Sequence, residues 1–261
     1  MQRKIIDVKA FDYPQCFRSL LENVDIYDSS CSAEAKVLFI DKDNGYFLKR
    51  STKNSLEREA LMGEYFHKKG LTSKVISYVS DENDWLLTER VSGEDCTFYK
   101  YLENPKMLCD ITATLLRELH ETDYSDCPVK DRMSEYCFTV EHNYEKGLGD
   151  LSLLSGEWSF SSIEEAWHVY NQGKKYLAND TLLHGDYCLP NIVLDDWKLS
   201  GFIDLGNGGV GDRHVDLFWG VWTLFYNLKT FEYSSRFIDA YGRDKVEIEL
   251  LRVISAAEIF G

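Results

Sequence analysis

The chain is short of proline, with 4 in 261 residues, and of basic residues, with 29 Lys and Arg against 44 Asp and Glu. So little proline, and only 17 glycines, excludes a collagen-like or linker-like chain. No stretch holds the roughly eighteen consecutive apolar residues that a membrane-spanning helix needs. The shortage of positive charge leaves a formal net charge of −15. Such a surface repels phosphate backbones and anionic bilayers, so neither nucleic acid nor membrane is an expected partner, whereas a cationic ligand is favoured. Seven cysteines (Cys16, Cys31, Cys96, Cys109, Cys127, Cys137, Cys188) form no CxxC pair and no zinc-type spacing. The opening MQRKIIDVKAFDYPQ has basic residues but no apolar run of signal-peptide length. The expectation is a reduced, cytoplasmic protein, monomeric or a homodimer, whose thiols mostly fill core. A GxxxxGK[ST] loop is also missing, which excludes the P-loop nucleotide-binding class.

What is present is enough apolar residue, at 44%, for a substantial core in one large domain or two smaller ones. The segment 1–91 reads as short strands around one helix. Val37–Ile40 and Tyr46–Lys49 flank Asp43-Asn44-Gly45, whose Asn-Gly pair suits the positive φ angles of a hairpin turn. Asn54 with Glu57 resembles a capping box, and Gly70 after Lys68-Lys69 reads as a helix stop. A second strand pair, Val75–Val79 and Trp85–Thr88, surrounds the polar turn Asp81–Asp84. After a connector near 89–93 the period changes: Leu108, Ile111, Leu115 and Leu119 recur at helical spacing, as do Ile163, Ala166, Trp167 and Tyr170. The segment 92–261 is mainly helical, interrupted by a small hairpin of Ile192–Leu194 and Leu199–Ile203. The fold class expected is α+β.

The chemistry concentrates in Leu183-His184-Gly185-Asp186-Tyr187-Cys188-Leu189-Pro190-Asn191-Ile192, followed by Gly201-Phe202-Ile203-Asp204-Leu205-Gly206. Asp186 lies on a loop between two apolar segments, free to project into a cleft. Asn191 and Asp204 bracket the expected hairpin. An amide oxygen and a carboxylate are hard ligands of the kind Mg²⁺ accepts, with nucleotide oxygens and waters completing its shell. A further Asp beside such a pair is what phosphoryl transfer to an alcohol requires, to orient the hydroxyl and take its proton. Any one of these residues alone would read as a cap or turn former; the joint spacing and strand context carry the chemical reading. In the β-rich segment, Glu59 shares a helical face with Leu56, Met62, Gly63 and Phe66. A carboxylate on an apolar stripe needs a cationic partner, and Lys49 is the natural one, though a rim Glu in a surface pair is the plainer alternative.

Taken together, Lys49, Glu59, His184-Gly185-Asp186, Asn191 and Ile203-Asp204-Leu205-Gly206 resemble the protein-kinase-like small-molecule phosphotransferases. With Gly211-Asp212-Arg213 and Asp216, the string from Ser200 is similar to the aminoglycoside 3′-phosphotransferases. The resemblance runs from about residue 30 onward and is densest at 183–218. It implies a two-lobed kinase-like fold: a small antiparallel β-rich lobe over 1–91, a hinge at about 89–93, and a helical lobe over 92–261 holding a catalytic loop at 184–191, a metal-binding strand end at 204–206 and the acceptor site. By position it implies Asp186 as catalytic residue with His184 supporting the loop, Asn191 and Asp204 as magnesium ligands, and Lys49 and Glu59 as the phosphate-binding pair. Phe47 would cover adenine, the backbone of Glu89 and Val91 would bond the base, and Ser32 would belong to the nucleotide loop. It implies ATP and Mg²⁺ as cofactors, with GTP left open, and a polycationic aminoglycoside as acceptor, with Glu157, Glu258 and Phe260 as contacts.

The acceptor also bears on an acidic run: Glu121–Glu165 holds eleven acidic against three basic residues. It reads either as a solvated helical face or as a wall collecting a polycation. Two positions depart from the family. The residue after Asp-Leu-Gly, commonly Arg, is Asn207, and a second family Arg appears as Trp222. These departures leave choline, a thiosugar or another small alcohol as alternative acceptors, with a non-catalytic nucleotide scaffold or a two-carboxylate metallohydrolase further away. Gly206–Gly211 fits GxGxxG after a strand but lacks the following βαβ unit and acidic residue, so a mobile loop is expected there. Trp219, Trp222 and Phe225 read as core, Asp216 as a brace beneath the His184 loop, and Cys188 as packing.

Overall fold

The computed structural model describes residues 4–31 and 35–261, with the side chain of Glu157 outside that description. The chain forms two compact units, one of residues 1–93 with 200–206 and one of 94–199 with 207–261. Residues 200–206 therefore pack with the first unit, although the sequence groups them with 92–261.

In the first unit six strands form one antiparallel sheet: β1 (Lys4–Ile5), β2 (Asp25–Asp28), β3 (Lys36–Asp41), β4 (Tyr46–Thr52), β5 (Val75–Ser80) and β6 (Asn83–Glu89), in the order β1-β2-β3-β4-β6-β5. Strand alternation sorts the side chains. Leu38, Ile40, Leu48, Trp85 and Leu87 enter a core with Phe17 and Leu21 of helix α1 (Gln15–Leu21), while Leu86 packs with Leu56 and Ala60 beside helix α2 (Glu57–Lys68). The β3–β4 turn takes its positive φ at Asp43 and Gly45, not at the expected Asn44-Gly45 pair.

Helix α2 ends before Gly70 (φ 75°), as expected, but its start differs. Asn54 sits at φ 66° and caps nothing; Asp84 does the capping, accepting from the Leu56 N–H at 2.9 Å. Asp84 is fully buried and also accepts from Tyr78 Oη and Ser80 Oγ. Those bonds outweigh the burial penalty and hold its carboxyl below the ordinary Asp pKa.

The second unit is built from α3 (Tyr99–Leu102), α4 (Pro105–His120), α5 (Arg132–Glu145), α6 (Ile163–Gly173), α7 (His214–Leu228), α8 (Ser234–Tyr241) and α9 (Ile248–Ala257). Leu108, Leu116 and Leu119 of α4 are buried along one stripe, each contributing about 2 kcal/mol of burial. Short strands β7 (Glu94–Asp95) and β9 (Ile192–Asp195) pair, as do β8 (Thr181–Leu183) and β11 (Gly209–Gly211); β10 (Lys198–Phe202) carries the chain back into the first unit. The GxGxxG segment is thus no mobile loop: its second half is a buried strand hydrogen-bonded to β8. Among the described residues, no helix is long and apolar enough to cross a membrane.

Candidate active site

In the first unit, Lys49 lies in mid-strand, paired with Val37 on β3 and Leu86 on β6. Its alternation puts it opposite Leu48, on the α2 side, where its ammonium bonds Glu59 Oε2 and Asp204 Oδ1, each at 2.7 Å. The bond to Glu59 is the pair the apolar helical stripe demanded. Asp204 reaches it because the chain after β10 is stitched to the end of α2. Phe202 N–H donates to Leu71 O, Thr72 Oγ1 donates to Phe202 O, and Phe202 packs edge-on against Phe66. Asp204 itself takes φ 62°, a left-handed turn that Asp tolerates and that aims its carboxylate at Lys49.

One ammonium between two carboxylates makes an unequal triad. Burial opposes charge on Lys49, but the two acids outweigh it and hold its pKa above the ordinary lysine value. Glu59, the more enclosed acid, moves up: burial raises it, and the charge of Asp204 adds to that against the pull of Lys49. Asp204 is half exposed, its side chain at 51%. The cluster carries a formal excess of one negative charge around a strong cation.

Phe47, two residues before Lys49 on the same face, stacks at a tilt on Phe39 with 5.2 Å between centroids. At the end of β6, the Glu89 N–H is already donated to Lys74 O, and its carbonyl accepts from Ser73 Oγ with one lone pair to spare. Val91 is buried, and no hydrogen bond among the described residues uses its N–H. Of the expected adenine contacts, then, the donor left is Val91 and the acceptor left is Glu89. Ser32 lies outside the described residues.

In the second unit, the Asp186 loop is held from below by a buried acid. Asp216, fully buried on α7, accepts from the N–H groups of His184 and Gly185, each at 2.7 Å, and from His120 Nε2 at 3.2 Å. His120 Nδ1 in turn bonds Tyr241 Oη at 2.8 Å. Burial, opposed by Asp216, pushes the His120 pKa down. His184 Nδ1 takes the N–H of Asp186, which fixes the ring as an acceptor on that side. Gly185 (φ 85°) is required twice over: its backbone is left-handed, and a Cβ there would lie 2.0 Å from Asn207 O.

Above this brace, Asn191 Nδ2 donates to the Asp186 carbonyl at 3.0 Å and to its Oδ2 at 2.9 Å, orienting the carboxylate and leaving the amide oxygen of Asn191 for another partner. The Cys188 thiol also bonds Asp186; burial, with the Asp186 charge, drives its pKa well above the ordinary range, so Cys188 is no nucleophile.

The expected acceptor contacts divide. Glu258 is buried, accepts from Tyr136 Oη at 2.7 Å and from the Trp219 indole N–H, and is pushed up to about 7 by burial in the field of Asp186. Phe260 is 1% exposed and packs edge-on against Tyr144 and Trp167, an interior position. The Glu157 side chain lies outside the described residues; its neighbour Trp158 is buried edge-on to Phe218. Much of the acidic run is engaged locally. Glu121 pairs with Arg117 and Glu141 with Lys174, Asp131 caps α5, and Glu165 accepts from Ser161. Asn207 meets an arginine after all: Arg132 of α5 donates to its carbonyl at 3.1 Å and to Oδ1 at 3.4 Å.

Sequence reasoning missed Asp84, His120 and Arg132. Asp84 carried a signal, since it shares strand parity with the buried Leu86. The other two act across 96 and 75 residues and carried none.

Comparison with known proteins places the chain in a family. A probable aminoglycoside 3′-phosphotransferase of Lactococcus lactis subsp. lactis (strain IL1403) is 49% identical over 250 residues, covering 95% of each chain. The crystal structure of an aminoglycoside-3′-phosphotransferase of type VIII superposes with a TM-score of 0.72 at 23% identity, covering 99% of this chain and 94% of that one. A Streptomyces rimosus aminoglycoside phosphotransferase in complex with ADP and streptomycin gives 0.68 at 20% identity, covering 86% and 90%. These structures share the α+β, protein-kinase-like fold of the chain. The model of the phosphotransferase enzyme family matches residues 30–251, nearly the whole chain, and the chain belongs to that family.

Proposed function

We propose that the protein transfers the γ-phosphoryl group of ATP to a hydroxyl of an aminoglycoside, of the 3′ type, and so inactivates the antibiotic. The observation that carries the acceptor is the 49% identity, along 95% of both chains, to a probable aminoglycoside 3′-phosphotransferase. The excess of 44 acidic over 29 basic residues suits a polycation.

Each unit contributes a different part of the reaction. In the first, Lys49 exchanges carboxylates for phosphate oxygens, Glu59 keeps its ammonium aimed, Phe47 covers the base, and Glu89 and Val91 hydrogen-bond its edge. In the second, Asp186 orients the acceptor hydroxyl and takes its proton, with His184 and Asn191 fixing its direction. Catalysis of this kind rests on positioning and charge stabilisation more than on covalent chemistry. Asn191 and Asp204 are the oxygen donors that fit magnesium. Among the described residues no group of three His, Cys, Asp or Glu could hold a metal, which suits an ion that arrives with the nucleotide and takes few protein ligands. When bound, Mg²⁺ offsets charge on the phosphates. Glu258 supplies an acceptor contact that is half ionised near neutrality.

An ADP-release assay across aminoglycosides, choline and sugar alcohols tests the reading. ADP release is expected with aminoglycosides that carry a 3′-hydroxyl, with a product one phosphoryl group heavier that no longer inhibits growth. Release with choline or a sugar alcohol alone would overturn the acceptor; no release with any would overturn the kinase reading.

A further inference from the structure

The Gly185–Asp186 turn is held at two points, and Asp216 is only one of them. Strands β8 and β11 pair antiparallel, with Gly209 opposite Leu183, Val210 opposite Leu182 and Gly211 opposite Thr181. Continued two residues past the ladder, the same register brings Asn207 against Gly185. The approach is close: a Cβ at Gly185 would lie 2.0 Å from the Asn207 carbonyl oxygen and 2.3 Å from its carbonyl carbon. Gly185 therefore sits between two groups, its N–H on Asp216 Oδ1 at 2.7 Å and its α-carbon against the Asn207 peptide. Whatever fixes that peptide also fixes the backbone on which Asp186 is mounted.

Arg132 fixes it. Its Nε donates to the same carbonyl oxygen at 3.1 Å and its Nη2 to the Asn207 side-chain oxygen at 3.4 Å, so one planar guanidinium grips one residue by two acceptors. The grip has a firm base. Arg132 is the first residue of α5, whose cap Asp131 accepts from the Ser134 N–H and from Asn179 Nδ2 at 2.7 Å. Asn179 Oδ1 in turn accepts from the Met133 N–H at 3.1 Å, and Val129 O accepts from the Val210 N–H at 2.8 Å. Asn179 stands two residues before β8 and Val210 lies within β11, so the start of α5 is tied to both strands that lead to the turn. The Arg132 side chain is 15% exposed, with the more exposed Glu135 carboxylate 3.4 Å away. An ion pair that close to solvent is worth little and does not account for a guanidinium so well covered.

We propose that Arg132 is a positioning residue for phosphoryl transfer: by holding the Asn207 carbonyl against Gly185 it sets the direction of the Asp186 carboxylate, as a second hold beside the Asp216 brace. This rests on the reading of Asp186 as the proton acceptor of an aminoglycoside kinase. It adds a residue that acts through the backbone and not on substrate or nucleotide.

The test is steady-state kinetics with ATP and an aminoglycoside on the parent protein, Arg132→Met, Arg132→Lys and Asn207→Ala, with thermal unfolding of each. Misplacing a reacting group by a small distance costs up to about a hundredfold in rate. With Asp216 still in place, Arg132→Met should lose about tenfold in kcat while KM for ATP and for acceptor stays within about twofold, since ground-state contacts are untouched. Arg132→Lys keeps a donor for the carbonyl but not the fork, so its kcat should recover to about threefold below the parent. Asn207→Ala keeps the carbonyl and should cost less than Arg132→Met. If Tm falls in Arg132→Met while kcat per folded molecule holds within about twofold, Arg132 is a structural tie only and the proposal fails. A rise in acceptor KM as large as the fall expected in kcat would make Arg132 an acceptor contact and overturn it too. If Arg132→Met does not fold, Arg132→Lys decides: the lowered kcat with both KM values held supports the role, and parental kcat overturns it. Either failure, seen on a parent that phosphorylates aminoglycosides, leaves the kinase reading intact; a parent inert to every aminoglycoside overturns both.

Discussion

The two units hold their key side chains by different means. In the first, Lys49 is fixed by charge: two carboxylates at 2.7 Å, one of them half exposed, with nothing neutral in between. In the second, Asp186 is fixed by hydrogen bonds to an amide and an imidazole. Asn191 and His184 bond it directly, over a backbone clamped by a fully buried Asp216. A charge cluster can be rebuilt by an incoming charge, as the nucleotide-binding role proposed for Lys49 requires. A buried hydrogen-bonded brace cannot, which suits the proton-accepting role proposed for Asp186. The same chemical change, carboxylate to amide, should therefore act oppositely in the two units.

The largest effect belongs to Asp216→Asn. An amide offers one acceptor where two N–H groups and a histidine now converge, so at least one buried donor loses its partner. A stability loss of about 2–4 kcal/mol is expected, with kcat down about a hundredfold in the fraction that stays folded. Thermal unfolding and active-site titration measure the two separately. Unfolding unchanged within error would mean the brace is not rigid.

Glu59→Gln should be milder and opposite in sign for stability. The folded-state pKa of Glu59 is raised above its unfolded value. Its contribution is therefore fully present below about pH 4.5 and is lost as pH rises through the folded pKa. At pH 7.5 the carboxylate is a cost that glutamine removes, so Tm should hold or rise, and the pH dependence from 4.5 upward should flatten. Lys49 meanwhile loses its aiming partner, and KM for ATP should climb about tenfold. A lower Tm at pH 7.5 would show that the ion pair outweighs burial there.

Much of this was legible in the sequence, and the reason is local. The strand Tyr46–Thr52 alternates, so Lys49 had to face α2; the stripe around Glu59 demanded a cation; and Asp186 and Asn191, five residues apart, form one loop that closes on itself. What escaped notice depends on long-range closure. Asp216 was expected beneath His184, but not the His120–Tyr241 extension, because a histidine on an apolar helix looks like ordinary filling. Asp84 hid in a polar turn, where acids are common, and displaced the expected Asn54 cap because a fully buried carboxylate must find donors.

The account stands most directly on Asp186→Ala, assayed for ADP release with an aminoglycoside and, on the same sample, for ATP binding by calorimetry. If the second unit supplies the proton acceptor and the first the nucleotide grip, turnover falls by a factor on the order of a thousand while ATP binds within about threefold of the parent. Near-parental turnover with every acceptor, or ATP affinity lost in step with the rate, would contradict it.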